Sequence, residues 1–138
     1  MFLTFALATF MVALTVTIHF GGLLGLLWLL RGSGHHFRAH ESLAGQGAVI
    51  LFVVLGLVGI HTVEVWLYAL AYIGVGALKD FEAALYFSTT SFTTIGYGDV
   101  VLDHKWRLVG AIEGANGLLL FGWSTAFLIS VTGRMRVL

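Results

Sequence analysis

The chain has 138 residues, 59% of them hydrophobic and 10% charged, with a formal net charge of zero, no cysteine and no proline. An average soluble domain carries about 25% charged residues, and a mean hydropathy of +0.97 marks an integral membrane protein of a length that suits one domain. The neutral charge balance argues against a nucleic-acid partner, the missing cysteines exclude disulfides and thiolate metal sites, and any helix kink must come from glycine or serine.

The first apolar run covers residues 2–30. No Lys or Arg precedes Arg31, and the run is about twice the 7–15 residues of a signal-peptide core, with no small-residue cleavage site after it. A retained transmembrane helix is predicted. Within it, His19 beside Gly21 and Gly22 is expected to be a hydrogen-bonded packing residue. A polar connector, RGSGHHFRAHESLAGQG, follows over 31–47. If it is helical, His36 and His40 at spacing four, next to His35, are candidates to chelate a metal or sense pH. Otherwise they belong to a solvated loop.

The second run predicts an outer helix over 48–73. His61 and Glu64, three apart, share one of its faces, as a proton-sensitive pair or a structural contact. Trp66, Tyr68 and Tyr72 suit an aromatic belt at the membrane surface.

Between this helix and the last one, Asp80-Phe81-Glu82 reads as a helix start, with acidic side chains at the positive end of the helix dipole. The run FEAALYFSTTSF at 81–92 is too short to span a bilayer core, which needs about 20 helical residues. It predicts a re-entrant half-helix over 80–92. TTIGYGD follows at 93–99. Gly96 and Gly98 relax the backbone at alternate positions, which lets successive carbonyls face one side. Such irregular backbone is tolerated in a membrane where it lines a water-filled path or a bound ion.

The last helix is predicted over 106–132. Glu113 inside a span is either a neutral or hydrogen-bonded tie between this helix and the half-helix or a participant in ion passage or gating. Asn116 is expected to face a cavity below the loop. Gly117 and Gly122 are candidate gate or hinge positions, or else sites of close helix packing.

The stretch TTSFTTIGYGD resembles the filter signature of tetrameric potassium channels, with Ile95 where the commonest pentad, TVGYG, has valine. Residues 48–131, and the run GLLLFGWSTAFL within them, look most like short bacterial members of the group with two spans and a pore loop. The helix at 1–30 is an addition. The resemblance implies an all-α membrane protein with three transmembrane helices, a re-entrant pore half-helix and an extended filter at 94–98, assembled as a four-fold pore domain over 48–138. It implies that Thr94, Ile95, Gly96 and Tyr97 offer oxygens to K+, with Gly98 and Asp99 at the outer mouth. Tyr86 and Phe87 are then backing for the filter, and Glu113 a support. Thr90 stands where some relatives place a buttressing Glu, and the inner helix lacks their proline bend. The implied function is passive, potassium-selective conduction by a non-enzyme, with K+ as permeant ion and no cofactor. The implied partners are three identical subunits and membrane lipid. The alternatives are a nonselective cation channel and a non-conducting membrane interaction subunit.

Arg31, Arg38, Arg134 and Arg136 on one side, against Lys79, Lys105 and Arg107 on the other, together with the pore resemblance, predict the N-terminus outside and the C-terminus cytoplasmic, and the resemblance implies a bacterial inner (plasma) membrane. No S4-like row of arginines is present, so voltage sensing of that kind is not expected. No regulatory domain is expected after the last helix.

Overall fold

The computed structural model describes residues 1–32 and 42–133. These form four helices: α1 (Phe2–Gly32), α2 (Leu43–Gly74), α3 (Phe81–Phe92) and α4 (Arg107–Thr132). Helices α1, α2 and α4 are long and apolar enough to cross a membrane. With 31 residues, α1 is roughly 46 Å long against a hydrocarbon core of about 30 Å, so it reaches beyond the core or tilts. The protein is therefore an all-α membrane protein.

Helix ends follow local chemistry. Helix α2 begins inside the expected connector because the Ser42 hydroxyl accepts from the Gly45 N–H at 3.1 Å and caps it. The connector at 31–47 is thus helical at both ends. His35, His36, Arg38 and His40 lie outside the described residues, as do Arg134 and Arg136. Helix α2 stops where Gly76 turns left-handed, at φ +68°, and its N–H bonds to the Ile73 carbonyl at 3.0 Å. Asp80 then caps α3, its Oδ2 accepting from the Ala83 N–H at 2.9 Å. Trp106 leads into α4 without a side-chain cap.

Helix α3 packs against both α2 and α4, while α1 lies against α2 and α4. The larger core joins Met11 of α1, Tyr68 and Tyr72 of α2, Phe92 of α3 and Leu120 of α4. A second cluster joins Leu23 and Leu26 to Val53 and Leu57. Along α1 the buried stripe reads Thr4, Ala8, Met11, Thr15, His19, Leu23 and Leu26. Phe2, Phe10, Phe20 and Trp28 point outward. The polar Thr4, Thr15 and His19 thus lie on the buried stripe beside Met11, Leu23 and Leu26, while the exposed side carries large apolar side chains, as lipid contact favours.

Contacts along α1 set the helix directions. Thr4 Oγ1 donates to the Lys105 carbonyl at 3.3 Å, and Asn116 Nδ2 donates to Thr15 Oγ1 at 2.8 Å. Positions rise together, so α1 and α4 run parallel. Against α2 they oppose: His19 meets Glu64, and a Cβ on Gly22 would lie 2.6 Å from Ile60 Cδ1.

Candidate ion pathway

Helix α3 has 12 residues, about 18 Å, and ends at Phe92. Its last turns are held by threonines that bond back to their own helix: Thr89 Oγ1 to the Leu85 carbonyl at 2.7 Å, and Thr93 Oγ1 to that of Thr89 at 2.6 Å. The chain beyond it is not a plain strand. Thr94, Gly96 and Gly98 take φ of +61°, +54° and +80°, while Ile95 and Tyr97 between them do not take positive values. Alternation of the sign of φ turns successive peptide units to a common side, where a strand would alternate them. Thr94 is β-branched, and holding it at positive φ costs on the order of 1–3 kcal/mol, so the surroundings must impose it. Two backbone bonds do so: Thr94 N–H to the Ser91 carbonyl at 2.9 Å, and Gly96 N–H to the Thr90 carbonyl at 3.0 Å.

Thr90 therefore meets the loop through its backbone. Its own hydroxyl turns back to the Phe87 carbonyl at 3.0 Å. Tyr86 sends its hydroxyl to Asp99 Oδ2 at 2.8 Å, tying the half-helix to the far end of the loop. That bond is the first cause holding the Asp99 carboxyl below its ordinary range. Phe87 packs edge-on to Tyr72 with ring centroids 5.3 Å apart, and against Gly110 of α4. Within one chain Tyr97 is 71% exposed and Ile95 54%. A groove of about 510 Å³ beside Thr94 has Phe87, Val101, Leu102 and Arg107 on its walls, and on its α4 side the small residues Gly110, Ala111, Gly114 and Ala115.

Behind the half-helix, Glu113 of α4 is fully buried and accepts two short bonds. Tyr72 of α2 donates to Oε2 at 2.5 Å, and Ser88 of α3 to Oε1 at 2.5 Å. One carboxylate thus joins three helices. Gly117, four residues on, sits against the end of α3, where a Cβ would collide with the Phe92 carbonyl oxygen. A Cβ at Gly122 would meet nothing within 4 Å.

Three expectations change. Tyr68 and Tyr72 do not form a surface belt: both are fully buried, with hydroxyls bonded to Asn116 and Glu113, and of the three aromatics only Trp66 is exposed. Proximity to a helix end suggested an interface, but partners on the other helices draw the phenols inward. Asn116 does not face a cavity; its amide reaches Thr15 of α1 and Tyr68, and its Oδ1 has no partner among the described residues. His61 and Glu64 meet at 2.8 Å, but not as an isolated pair, because His19 of α1 approaches the same carboxylate at 3.0 Å. No signal in α1 singled out His19 for that role beyond its being the only histidine in the run.

A family model described as an ion channel matches residues 60–134, more than half of the chain and the whole of α3, the loop and α4. No curated protein and no solved structure matches. The 12-residue helix α3, the loop of alternating handedness after it and the long apolar helix α4 all fall within the matched region. The chain belongs to that ion-channel family.

Proposed function

We propose that the chain is one subunit of a homotetrameric potassium channel in which TIGYG at 94–98 is the selectivity filter. The observation that carries this reading is the alternating positive φ at Thr94, Gly96 and Gly98 immediately after a 12-residue half-helix. One strand of oxygens on a common side cannot enclose an ion. Four around an axis make stacked rings that replace a cation's hydration shell. Thr94, Ile95, Gly96 and Tyr97 supply those oxygens, and Gly98 relaxes the mouth. The exposed Tyr97 and Ile95 and the groove beside Thr94 are faces on which neighbouring subunits pack.

The carbonyl end of α3 carries partial negative charge and favours a cation in the inner cavity. Asp99, fixed by Tyr86, adds a carboxylate from each subunit at the outer mouth, which concentrates cations there. Flow is passive and follows the electrochemical gradient. The filter side of the chain faces outward and the C-terminus lies in the cytoplasm.

The test is cation flux through protein reconstituted in liposomes, with reversal potentials under bi-ionic gradients and native mass of the purified protein. A tetramer passing K+ well ahead of Na+ is expected. Near-equal permeability assigns a nonselective pore. Absence of both flux and tetramer assigns a non-conducting subunit.

A further inference from the structure

Outside the ion path, three helices bring ionisable and polar side chains together in the interior of the helix bundle. His19 of α1 and His61 of α2 each direct Nδ1 at Glu64, at 3.0 Å from Oε1 and 2.8 Å from Oε2. On the opposite edges of the two rings, both Nε2 atoms converge on Ser124 Oγ of α4, at 2.9 Å from His61 and 3.4 Å from His19. His19 and Glu64 are fully buried and His61 nearly so. One ligand atom from each of the three lies within 4.8 Å of the others.

We infer that His19, His61 and Glu64 form a binding site for a borderline divalent transition ion of the zinc class. Two imidazole nitrogens and one carboxylate oxygen are a zinc donor set that leaves a fourth position open. Bonds of about 2.0–2.1 Å to a tetrahedral ion put ligand atoms roughly 3.3 Å apart. The present separations, 3.0 Å from His19 Nδ1 to Oε1 and 2.8 Å from His61 Nδ1 to Oε2, are shorter than that, so an ion on one of these oxygens requires the side chains to part and both imidazoles to turn toward a common point. Each imidazole binds through Nδ1 in its Nε2–H tautomer, so its proton moves across the ring and none is lost. Both Nε2–H groups then donate to Ser124 Oγ, which has two lone pairs. That outer contact fixes ring orientation in the manner of a second coordination shell.

The surroundings suit such an ion. Phe121 lies 4.3 Å from the His61 ring, Phe92 5.9 Å, and Trp123 5.3 Å from His19, giving a dry aromatic wall. The His61 ring also borders a cavity of about 290 Å³, walled mainly by apolar side chains such as Val58, Val65, Trp66 and Leu85, with Thr62, Thr89 and Thr93 among them. Because Phe92 is the last residue of α3, a bound ion would fasten α1 to the helices immediately behind the half-helix. The inference does not depend on which ion the path conducts.

The experiment titrates Co2+ into the purified full chain in detergent, reading the visible absorption of tetrahedral cobalt and quenching of Trp123, then displaces it with Zn2+. About one cobalt per chain is expected. His19→Gln and Glu64→Gln should weaken binding on the order of 100-fold or more, and Ser124→Ala, which leaves all three ligands in place, by about 10-fold. Joint replacement of His35, His36 and His40 by alanine should leave the affinity unchanged. Absence of the tetrahedral spectrum in folded wild-type protein overturns the inference. So does a spectrum that survives His19→Gln and Glu64→Gln, or one lost with the connector histidines.

Discussion

Replacing Glu113 separates a structural carboxylate from one whose charge serves the ion. The side chain accepts from Tyr72 and Ser88, each at 2.5 Å. A hydrogen bond to a charged group contributes about 1.5–3 kcal/mol, and the two losses are unequal here. Ser88 has a second acceptor, the Val65 carbonyl at 2.9 Å, so its proton is not stranded when Glu113 is removed. Tyr72 is fully buried, and among the described residues its hydroxyl has no other acceptor. Glu113→Leu should therefore cost about 2–3 kcal/mol, most of it from the orphaned phenol. Glu113→Gln should cost about 1 kcal/mol or less. Its amide oxygen accepts from Tyr72, its NH2 donates to Ser88 Oγ, and Ser88 donates to Val65. The assay is thermal unfolding of the detergent-solubilised protein beside liposome flux. Tyr72→Phe, combined with Glu113→Leu, should cost much less than the two changes summed, because both remove the same bond. Two results would refute the reasoning: Glu113→Leu melting with wild type, or Glu113→Gln losing flux while its melting is unchanged.

Gly96→Ala places a Cβ at φ +54°, a cost of about 1–2 kcal/mol per chain; flux should vanish while membrane insertion, read by fractionation, persists. Gly117→Ala drives a methyl into the Phe92 carbonyl; overpacking of about 1–3 kcal/mol should lower thermal stability and shift the end of α3, measured by melting and by flux. Tyr86→Phe removes the bond that holds Asp99 low. A depressed carboxylate contributes above its ordinary range and is lost as pH falls through the depressed value. The acid limb of flux against pH should therefore move upward in the variant, toward ordinary carboxylate behaviour.

The half-helix was legible because its signals are local: an Asp cap, an acidic first turn, and a length that cannot span. The glycines of the loop were legible for the same reason, since positive φ is theirs at no steric cost. Thr94 was not, because nothing in a β-branched residue announces left-handed backbone; its neighbours Ser91 and Thr90 impose it through main-chain bonds. The inner face of α1 was also invisible. A helix apolar all round shows no amphipathic stripe, and its buried face mixes Thr4, Thr15 and His19 with Met11, Leu23 and Leu26. Glu113, Tyr72 and Ser88 lie on three separate elements, so their meeting follows from packing and not from spacing. Asn116 was read toward a cavity because a lone polar residue in an inner helix suggests one, whereas Thr15 sat 101 positions away.

The polar contacts of α1 bear on the order in which the chain is made. Helix α1 emerges before α2 and α4, and its Thr15 hydroxyl bonds to the Met11 carbonyl at 2.9 Å, so that hydroxyl can rest in lipid without a partner from another helix. His19 next meets Glu64 when α2 follows as a hairpin partner, long before α4 exists. Asn116 and Ser124, synthesised last, arrive to find Thr15, Tyr68 and the two histidines already waiting. Thr15 is thus satisfied within its own helix and His19 waits only for α2, whereas the Tyr72 hydroxyl waits for Glu113 until α4 inserts, so the costly state of an unpaired polar side chain in hydrocarbon is short for α1 and longest for α2.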